Sequence, residues 1–235
     1  MNIFLTGATG YLGSAILRAL ESAGHRVTAL VRSPSAAVRH PHIGDLRSVE
    51  SFRDVALSHD AIIHAGIESG SERLDTDRRV AEALASPKLI YTSTLFVLGN
   101  VDDGDESSPA TGPRAETERV VVDAGGAVIR PGMIHGGDAF LFAHPIVIGD
   151  GSNRWPLVHR DDVAALYVLV VERGARGVFH AVSEVRRARE VFPDVAPTAI
   201  DVARGELGPF ADALALDQNV RAERSRALGW IPSRL

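Results

Sequence analysis

The sequence predicts an α/β fold, a doubly wound parallel sheet with helices on both faces. Two observations support this prediction. Short apolar runs alternate with helical patterns as far as Pro131, and a glycine-rich segment joins the first run to the first helix. Strands buried on both faces read as short, β-branched apolar runs, because helices cover both sides of the sheet. The 235 residues, of which 45% are hydrophobic, can form one large domain or one domain with a small appended lobe.

The amino-terminal part contains the clearest pattern. Its apolar runs predict strands at Asn2–Thr6, Arg26–Val31, His42–Ile43, Ala61–His64, Lys88–Ser93 and Ala127–Ile129. Its periodic stretches predict helices at Tyr11–Ala23, Ser48–Leu57, Glu72–Leu84 and Arg114–Asp123. Such alternation forms right-handed crossovers, and ligands then bind at the carboxyl ends of the strands.

The carboxy-terminal part changes in character and predicts a small lobe. We expect a strand at Pro145–Ile148, a helix at Arg160–Glu172, a strand at Gly177–Val182 and a final helix at Asn219–Leu228. The acidic stretch Asp102–Pro113, rich in Ser, Gly and Pro, is expected to be an exposed loop. We therefore expect a single domain over residues 1–235, with residues from about 132 to 235 forming a substrate-binding lobe.

The glycine-rich segment at residues 6–13 reads Thr-Gly-Ala-Thr-Gly-Tyr-Leu-Gly, a spacing typical of a dinucleotide clamp. Gly7 allows a tight turn, Gly10 removes a Cβ where a pyrophosphate approaches the backbone, and Gly13 lets the helix pack against the strand. The following helix offers N–H groups to phosphates. The alternative is an ordinary glycine-rich turn, but the order strand, loop, helix, strand favours the clamp.

The cofactor preference depends on the end of the second strand, which reads Leu30-Val31-Arg32-Ser33. An acid there would select NAD by binding the ribose 2′-hydroxyl, whereas Arg32 can pair with a 2′-phosphate. We expect NADP, with NAD possible, although Arg32 could also be a solvated surface residue. The predicted cofactor-binding residues are Gly7, Thr9, Gly10, Tyr11, Leu12, Gly13, Arg32, Asp45, Leu46, Ala65, Gly66, Thr92, Pro131 and Ile134.

Composition excludes several classes of protein. A net charge of −5 argues against a nucleic-acid partner, and the absence of cysteine excludes disulfides and thiolate metal sites. No metal site is expected. The sequence has no run of about 20 apolar residues and no signal peptide, so we expect a cytoplasmic protein without a membrane segment. We expect a monomer or homodimer that acts on a small molecule.

A set of short motifs extends over nearly the whole chain. These are Thr6–Gly13, Gly44–Leu46, His64–Ala65, Tyr91–Thr94, Val97–Gly99, Ile129–Gly132, His135–Gly136, Val158–Ala164 and Leu228–Pro232. With them the chain resembles the extended short-chain dehydrogenases/reductases of the NAD-dependent epimerase/dehydratase branch. The resemblance implies a Rossmann fold, a nicotinamide cofactor, a carboxy-terminal substrate lobe, and in many relatives a dimer formed through a four-helix interface.

Relatives in that family commonly use a Ser/Thr–Tyr–Lys set, and this chain departs from it. Thr94 matches the Ser/Thr position, whereas the alignment places Ala110 at the Tyr position and Arg114 at the Lys position. The single lysine, Lys88, precedes Thr94. Arg114 could still hold the nicotinamide ribose, but a guanidinium is a permanent cation and cannot easily shuttle a proton.

His135 is the candidate proton donor, since its segment replaces the Val-Tyr-Gly found in many relatives and an imidazole titrates near neutral pH. It could instead be a loop residue packed on the lobe. We expect His64 and Tyr91 to be core residues. The resulting hypothesis is an atypical NADP-dependent oxidoreductase, with Thr94, Arg114 and His135 as catalytic residues, that reduces a small apolar or aromatic molecule. The alternatives are a cofactor-binding regulator without redox turnover and a non-redox isomerase or cyclase.

Overall fold

The computed structural model describes residues 1–34, 37–137 and 144–234. Its strands are β1 (Asn2–Thr6), β2 (Arg26–Val31), β3 (His40–Ile43), β4 (Ala61–His64), β5 (Leu89–Thr92), β6 (Val101–Gly104), β7 (Ala127–Pro131), β8 (Met133–His135), β9 (Val147–Ile148), β10 (Arg154–His159), β11 (Gly177–Ala181), β12 (Glu184–Arg187), β13 (Pro197–Thr198) and β14 (Gln218–Val220). Its helices are α1 (Tyr11–Ser22), α2 (Arg53–Leu57), α3 (Arg73–Leu84), α4 (Pro113–Asp123), α5 (Arg160–Arg173), α6 (Ala188–Val191), α7 (Ile200–Leu207), α8 (Phe210–Leu214) and α9 (Glu223–Ala227).

The central sheet has seven strands in the order β11-β7-β5-β4-β1-β2-β3. Every neighbouring pair in it is parallel, which confirms the predicted doubly wound α/β class. The strand order reverses between β1 and β4. Open α/β sheets bind ligands in the crevice at such a reversal, so this edge is where a site is expected.

Both faces of the sheet are buried. Side chains of α1 and α5 cover one face, and α2, α3 and α4 cover the other. Ile3, Phe4 and Leu5 of β1 are all fully buried, and each stabilises the fold by about 1.5–3 kcal/mol relative to an exposed position. The sheet is therefore a rigid base for the loops at its carboxyl edge.

The carboxy-terminal part builds two small sheets, β12-β10-β8 and β13-β9. A separate apolar cluster supports them, formed around Met133, Trp155 and Leu157 with residues of α6, α7 and α8. Residues 138–143, which include Phe140 and Phe142, lie outside the described residues.

Most predicted elements agree with the structure within one or two residues, but two predictions were wrong. Asn219–Leu228 is not one helix: β14 pairs in parallel with β6, and only α9 is helical. The Gln218 side chain explains the strand, because its amide donates to the carbonyls of Leu95 and Gly99 from a buried position. Asp102–Pro113 is not a simple exposed loop either, because residues 102–104 belong to β6 and Glu106 is buried.

Two further predictions needed smaller corrections. Ser48–Leu57 is interrupted: a 3₁₀ turn at Val49–Ser51 precedes α2, and between them Phe52 is buried and stacks on Phe4. The predicted strand Pro145–Ile148 reduces to β9, because a proline cannot donate to a ladder. Among the described helices, none is both long and apolar enough to cross a lipid bilayer.

Candidate functional site

A groove of about 570 Å³ opens at the carboxyl ends of β1, β2, β3 and β4. Most of the predicted cofactor-binding residues line it, namely Gly7, Thr9, Gly10, Tyr11, Leu12, Gly13, Arg32, Asp45, Leu46, Ala65 and Gly66. Sequence reasoning missed Leu30, Val31, Gly44, Ile67 and Glu68, which also line the groove. The signal for the last two was their position directly after Gly66, in the loop that follows β4.

The glycine loop forms the floor of the groove, and its three glycines differ in what a side chain would meet. Gly7 has a φ of +77°, and a Cβ there would lie 2.6 Å from the Ala65 oxygen. A Cβ on Gly13 would lie 2.0 Å from the Gly7 oxygen, which is backbone against backbone. A Cβ on Gly10 would meet only the Gly7 oxygen at 3.3 Å and otherwise extend into the groove.

These features fit a pyrophosphate. Gly10 is the N-cap of α1, so no side chain caps this helix, and its first turn contains no acid. The first N–H groups of a helix lack intrahelical acceptors and carry partial positive charge. The space that a Gly10 side chain would fill therefore lies beside donors suited to an anion.

The other end of the groove, at β2 and β3, carries charged side chains. Arg32 is exposed at the end of β2. Asp45 accepts a hydrogen bond from the backbone N–H of Arg47 at 2.8 Å, so this carboxylate shapes the turn after β3. Arg47 in turn lies 3.4 Å from the carboxylate of Glu68, which is 13% exposed. Arg32 thus lines the groove at this end, whereas Arg47 is outside the lining and joins the loop after β3 to the loop after β4 through Glu68.

Thr92, Pro131 and Ile134 do not line the groove. Thr92 ends β5, and its hydroxyl is hydrogen-bonded to the Tyr167 hydroxyl at 2.6 Å. Pro131 is buried at the end of β7, and Ile134 is half-buried in β8 opposite Val158 of β10. These three residues belong to β5, β7 and β8. Arg32 follows β2, which lies on the other side of the strand-order reversal between β1 and β4.

Thr94 is half-buried and caps the 3₁₀ turn Leu95–Leu98, where its hydroxyl oxygen accepts from the Phe96 N–H at 3.3 Å. With that role as acceptor, the hydroxyl can still donate to a neighbouring oxygen. Ala110 lies before Gly112, the N-cap of α4. Positions 110 and 114 are therefore not one turn apart on a helix, so a Tyr and a Lys there would not share one helical face.

Arg114, in the first turn of α4, is directed back toward β5. It donates to the Thr92 carbonyl oxygen at 3.2 Å and lies 3.7 Å from the Asp77 carboxylate. Its guanidinium is 6.0 Å from the centre of the Tyr91 ring. Sequence reasoning did not single out Asp77, although its spacing of three, four and seven residues from the buried Val80, Ala81 and Leu84 places it on the inner face of α3.

His64 and Tyr91 are buried, as expected, but both belong to a polar cluster. The Tyr91 hydroxyl donates to Asp77, and His64 Nε2 lies 3.3 Å from the other oxygen of that carboxylate. On its opposite side, His64 Nδ1 is 2.7 Å from the Thr6 hydroxyl. Burial raises the pKa of the Tyr91 phenol well above its ordinary value, so this hydroxyl remains protonated.

His135 lies at the end of β8 beside His159 of β10, with 5.3 Å between the ring centres. Burial and the neighbouring His159 lower the pKa of His135, so its imidazole is neutral at neutral pH. It could then donate a hydrogen bond, whereas transfer of its extra proton would need acidic conditions. Next to it, the Tyr11 hydroxyl donates to the Gly136 carbonyl at 2.6 Å, and the Arg160 guanidinium lies 4.9 Å from the Tyr11 ring centre.

Comparison with known proteins identifies the family. A model described as the NAD dependent epimerase/dehydratase family matches residues 3–118. An uncharacterized protein of Saccharomyces cerevisiae is 31% identical over an alignment of 288 residues that covers all of this chain and 96% of that protein. The chain belongs to the NAD-dependent epimerase/dehydratase family. This confirms the resemblance that the sequence motifs gave.

More distant relatives of this chain include two named reductases. A 4-hydroxy-2-methyl-3-oxo-4-farnesyl-3,4-dihydroquinoline-1-oxide ketoreductase of Stigmatella aurantiaca is 27% identical, with 75% of this chain and 66% of that protein covered. A 2-alkyl-3-oxoalkanoate reductase of Stenotrophomonas maltophilia is 28% identical, with 75% and 67% covered.

Solved structures share the epimerase fold. The human epimerase family protein SDR39U1, crystallised with NADPH, superimposes with a TM-score of 0.84 at 19% identity, covering 99% of this chain and 95% of that one. A dTDP-glucose 4,6-dehydratase from Streptomyces venezuelae, with NAD bound, gives a TM-score of 0.76 at 21% identity, with 100% and 92% covered. At these identities the likeness concerns the fold alone.

Proposed function

We propose that this epimerase-family protein is an atypical NADP-dependent reductase of a small, apolar or aromatic molecule with a polarised carbonyl or imine-like bond. The observation that carries the proposal is the groove itself: an uncapped helix N-terminus at Gly10 lies at its floor, and Arg32 rather than an acid stands at the end of β2. A 2′-phosphate would find a cation there, whereas NAD-selective relatives of this fold place a carboxylate at that point.

The residues of the groove would hold the cofactor by its two charged parts. The backbone of Gly10 to Gly13 would bind the pyrophosphate, and Arg32, with Arg47 nearby, would bind the 2′-phosphate. Leu46 and Ala65 would contact the adenine side. When bound, NADPH supplies the hydride for the reduction.

The remaining catalytic work falls to the residues beyond β4. Thr94 would donate its hydroxyl to the substrate oxygen or nitrogen and so polarise the bond being reduced. Arg114, a permanent cation, would bind ribose hydroxyls without taking part in proton transfer. A water molecule would supply the proton at neutral pH, with neutral His135 donating a hydrogen bond, and protonated His135 would supply it only under acidic conditions. These roles suit a substrate whose carbonyl or imine-like bond is already polarised, because hydride transfer to such a bond needs little help from a general acid.

The relatives support this choice of reaction. The named proteins from Stigmatella aurantiaca and Stenotrophomonas maltophilia reduce a 3-oxo group on a dihydroquinoline and on an alkylated acid. Both are carbonyl reductions on largely apolar molecules. They therefore favour an oxidoreductase over the non-redox isomerase or cyclase that the same fold could also support.

A second candidate is a protein that binds the cofactor without turning over a substrate. It is favoured by one observation, that position 110 precedes α4 and no Tyr-x-x-x-Lys pair can form. Such a protein would need the groove but no proton donor.

The test has two stages. Calorimetry with NADPH and NADH should give tighter binding of NADPH, and a spectrophotometric screen should then show NADPH oxidation with ketones, quinones, enones or imines. Binding without oxidation across the whole screen would favour the second candidate. If neither nucleotide bound at millimolar concentration, the assignment of the groove would be wrong.

A further inference from the structure

We propose that Asp77 is the positioning residue that fixes Arg114 at the nicotinamide-ribose end of the cofactor site. The inference rests on the proposed function, because Arg114 acts on the cofactor only if the groove holds one. In this proposal, Asp77, a buried acid on α3, holds Arg114 in place. Arg114 stands where many relatives have lysine.

The position of Arg114 relative to the groove follows from the sheet order. The glycine loop lies at β1, and Arg32 lies to one side of it, at the end of β2. On the other side of β1 come β4 and then β5, and Arg114 is hydrogen-bonded to the last residue of β5. A dinucleotide bound by its pyrophosphate at β1 with its adenosine half toward Arg32 therefore extends its other half toward Arg114.

Asp77 is anchored more firmly than Arg114. Its side chain is 3% exposed, against 19% for Arg114. One carboxylate oxygen accepts from the Tyr91 hydroxyl and faces Arg114, while the other faces His64. The buried acid is thus the fixed partner, and the guanidinium is the partner that reaches toward solvent.

The surrounding groups keep Asp77 charged. Burial raises the pKa of its carboxyl, but the hydrogen bond and charge of His64 together with Arg114 and Tyr91 outweigh that effect and leave the pKa below its ordinary value. Asp77 is therefore an anion throughout the physiological range. Asp77, a buried anion next to His64, Tyr91 and Arg114, holds the Arg114 cation in a fixed place. The reason is that the charge of either partner would be uncompensated without the other.

The cluster also connects to the glycine loop. The Thr6 hydroxyl accepts from the Gly66 N–H at 3.1 Å and contacts His64 Nδ1 at 2.7 Å. The His64 ring thus lies between the Thr6 hydroxyl, which it meets at Nδ1, and the Asp77 carboxylate, which lies 3.3 Å from Nε2. Thr6 immediately precedes Gly7, so residues at β1, β4, α3 and α4 form one continuous set of polar contacts.

The test compares two ligands that share the adenosine end of the groove. NADPH reaches both ends, whereas 2′,5′-ADP carries the 2′-phosphate but has no nicotinamide ribose. For Asp77→Asn we expect binding of NADPH to weaken by about tenfold, the effect of misplacing one charged hydrogen bond. Binding of 2′,5′-ADP should stay within about twofold, because its contacts lie on the Arg32 side.

Four further variants make the result specific. Arg114→Met should show the same selective loss, and the double variant with Asp77→Asn should lose no more than Arg114→Met alone, because the two changes remove one interaction. Tyr91→Phe keeps the ring and removes one donor to Asp77, so a smaller selective loss is expected. Glu82→Gln, on the exposed face of the same helix, is the matched control and should bind both ligands like the wild type.

The outcomes separate the two proposals. Equal weakening of both ligands by Asp77→Asn, or no weakening of NADPH in either Asp77→Asn or Tyr91→Phe, would overturn the positioning role. Additive losses in the double variant would do the same. If the wild type bound neither ligand, the proposed function would fail first, and the positioning role would fall with it.

Discussion

The two sides of the sheet reversal are built in different ways. On the side of β1, β2 and β3, the groove is shaped by backbone: a positive φ at Gly7, a close approach at Gly13 and an open face at Gly10. On the side of β5, β7 and β8, the contacts are made by buried side chains, among them Asp77 and Tyr91. The first side can bind any group with the right charge and shape, whereas the second depends on particular side chains.

The largest effect is expected from substitutions on the side of β1, β2 and β3, which we call the backbone side because backbone shapes the groove there. Gly13→Val places a Cβ against the Gly7 carbonyl, so α1 must shift, at a cost of about 1–3 kcal/mol in the free energy of unfolding. Gly10→Val should cost less, because its Cβ meets only the Gly7 oxygen, at 3.3 Å, and otherwise extends into the groove. Both variants should lose NADPH binding. Urea unfolding and calorimetry on the pair would check this, and NADPH binding by Gly10→Val would contradict the phosphate role of the loop.

The next largest effect is expected on the side of β5, β7 and β8, which we call the side-chain side because it depends on particular side chains. Thr94→Val should reduce the turnover number by about ten- to a thousandfold, because it removes the donor proposed to polarise the substrate. The dissociation constant of NADPH should hardly change, and Thr94→Ser should keep most of the activity. Steady-state kinetics measures both quantities. Turnover at the wild-type rate in Thr94→Val would remove this residue from the site.

A smaller effect is expected at the adenosine end. Arg32→Asp should change the ratio of NADPH to NADH affinity by about ten- to a hundredfold in favour of NADH, since a charged hydrogen bond is lost and a repulsion is gained. Arg18→Gln, an exposed change on α1 outside the groove, serves as control. Titration with both nucleotides gives the ratio. An unaltered ratio in Arg32→Asp would mean that Arg32 is a solvated surface residue.

The smallest effect is a dependence of stability on pH. Burial lowers the pKa of His180 and, on the side-chain side of the site, of His135 below the ordinary value of 6.5. Below pH 6.5 the unfolded chain therefore binds more protons at these histidines than the folded chain does. Their full contribution to the free energy of unfolding is present above pH 6.5 and is lost as the pH falls through the folded-state pKa values. Thermal unfolding between about pH 8 and about pH 5 should show this loss. A melting temperature that rises on acidification would contradict it.

Sequence reasoning predicted the backbone side well, because its signals are local. The strand Ala61–His64 and the start of α1 at Tyr11 agree residue for residue with the structure, since apolar runs and glycine spacing decide them within a few residues. The same motif brought most of the predicted groove residues together. Leu30 was missed because its exposure to the groove depends on how neighbouring strands align, whereas Ile67 and Glu68 follow Gly66 directly and had a local signal.

The side-chain side was harder to predict, since its contacts join distant parts of the chain. Asp77 lies in the polar stretch Leu74-Asp75-Thr76-Asp77-Arg78, where composition indicates an exposed helix. Only the position of Asp77 in the helical turn marked it as buried. The mistaken helix over Asn219–Leu228 has a similar cause, because the partner strand of β14 lies more than a hundred residues earlier and no local pattern indicates the pairing.

The bond between the Tyr11 hydroxyl and the Gly136 carbonyl closes a loop of 125 residues across the top of the glycine segment. Contacts between residues so far apart in sequence form late, after the intervening strands have assembled. A nascent chain in which only β1, α1 and β2 have been synthesised thus contains the proposed phosphate-binding segment. It does not yet contain the residues that complete the wall of the groove. Competence to bind a nucleotide arises with completion of the sheet, so ligand capture during refolding would time that last step.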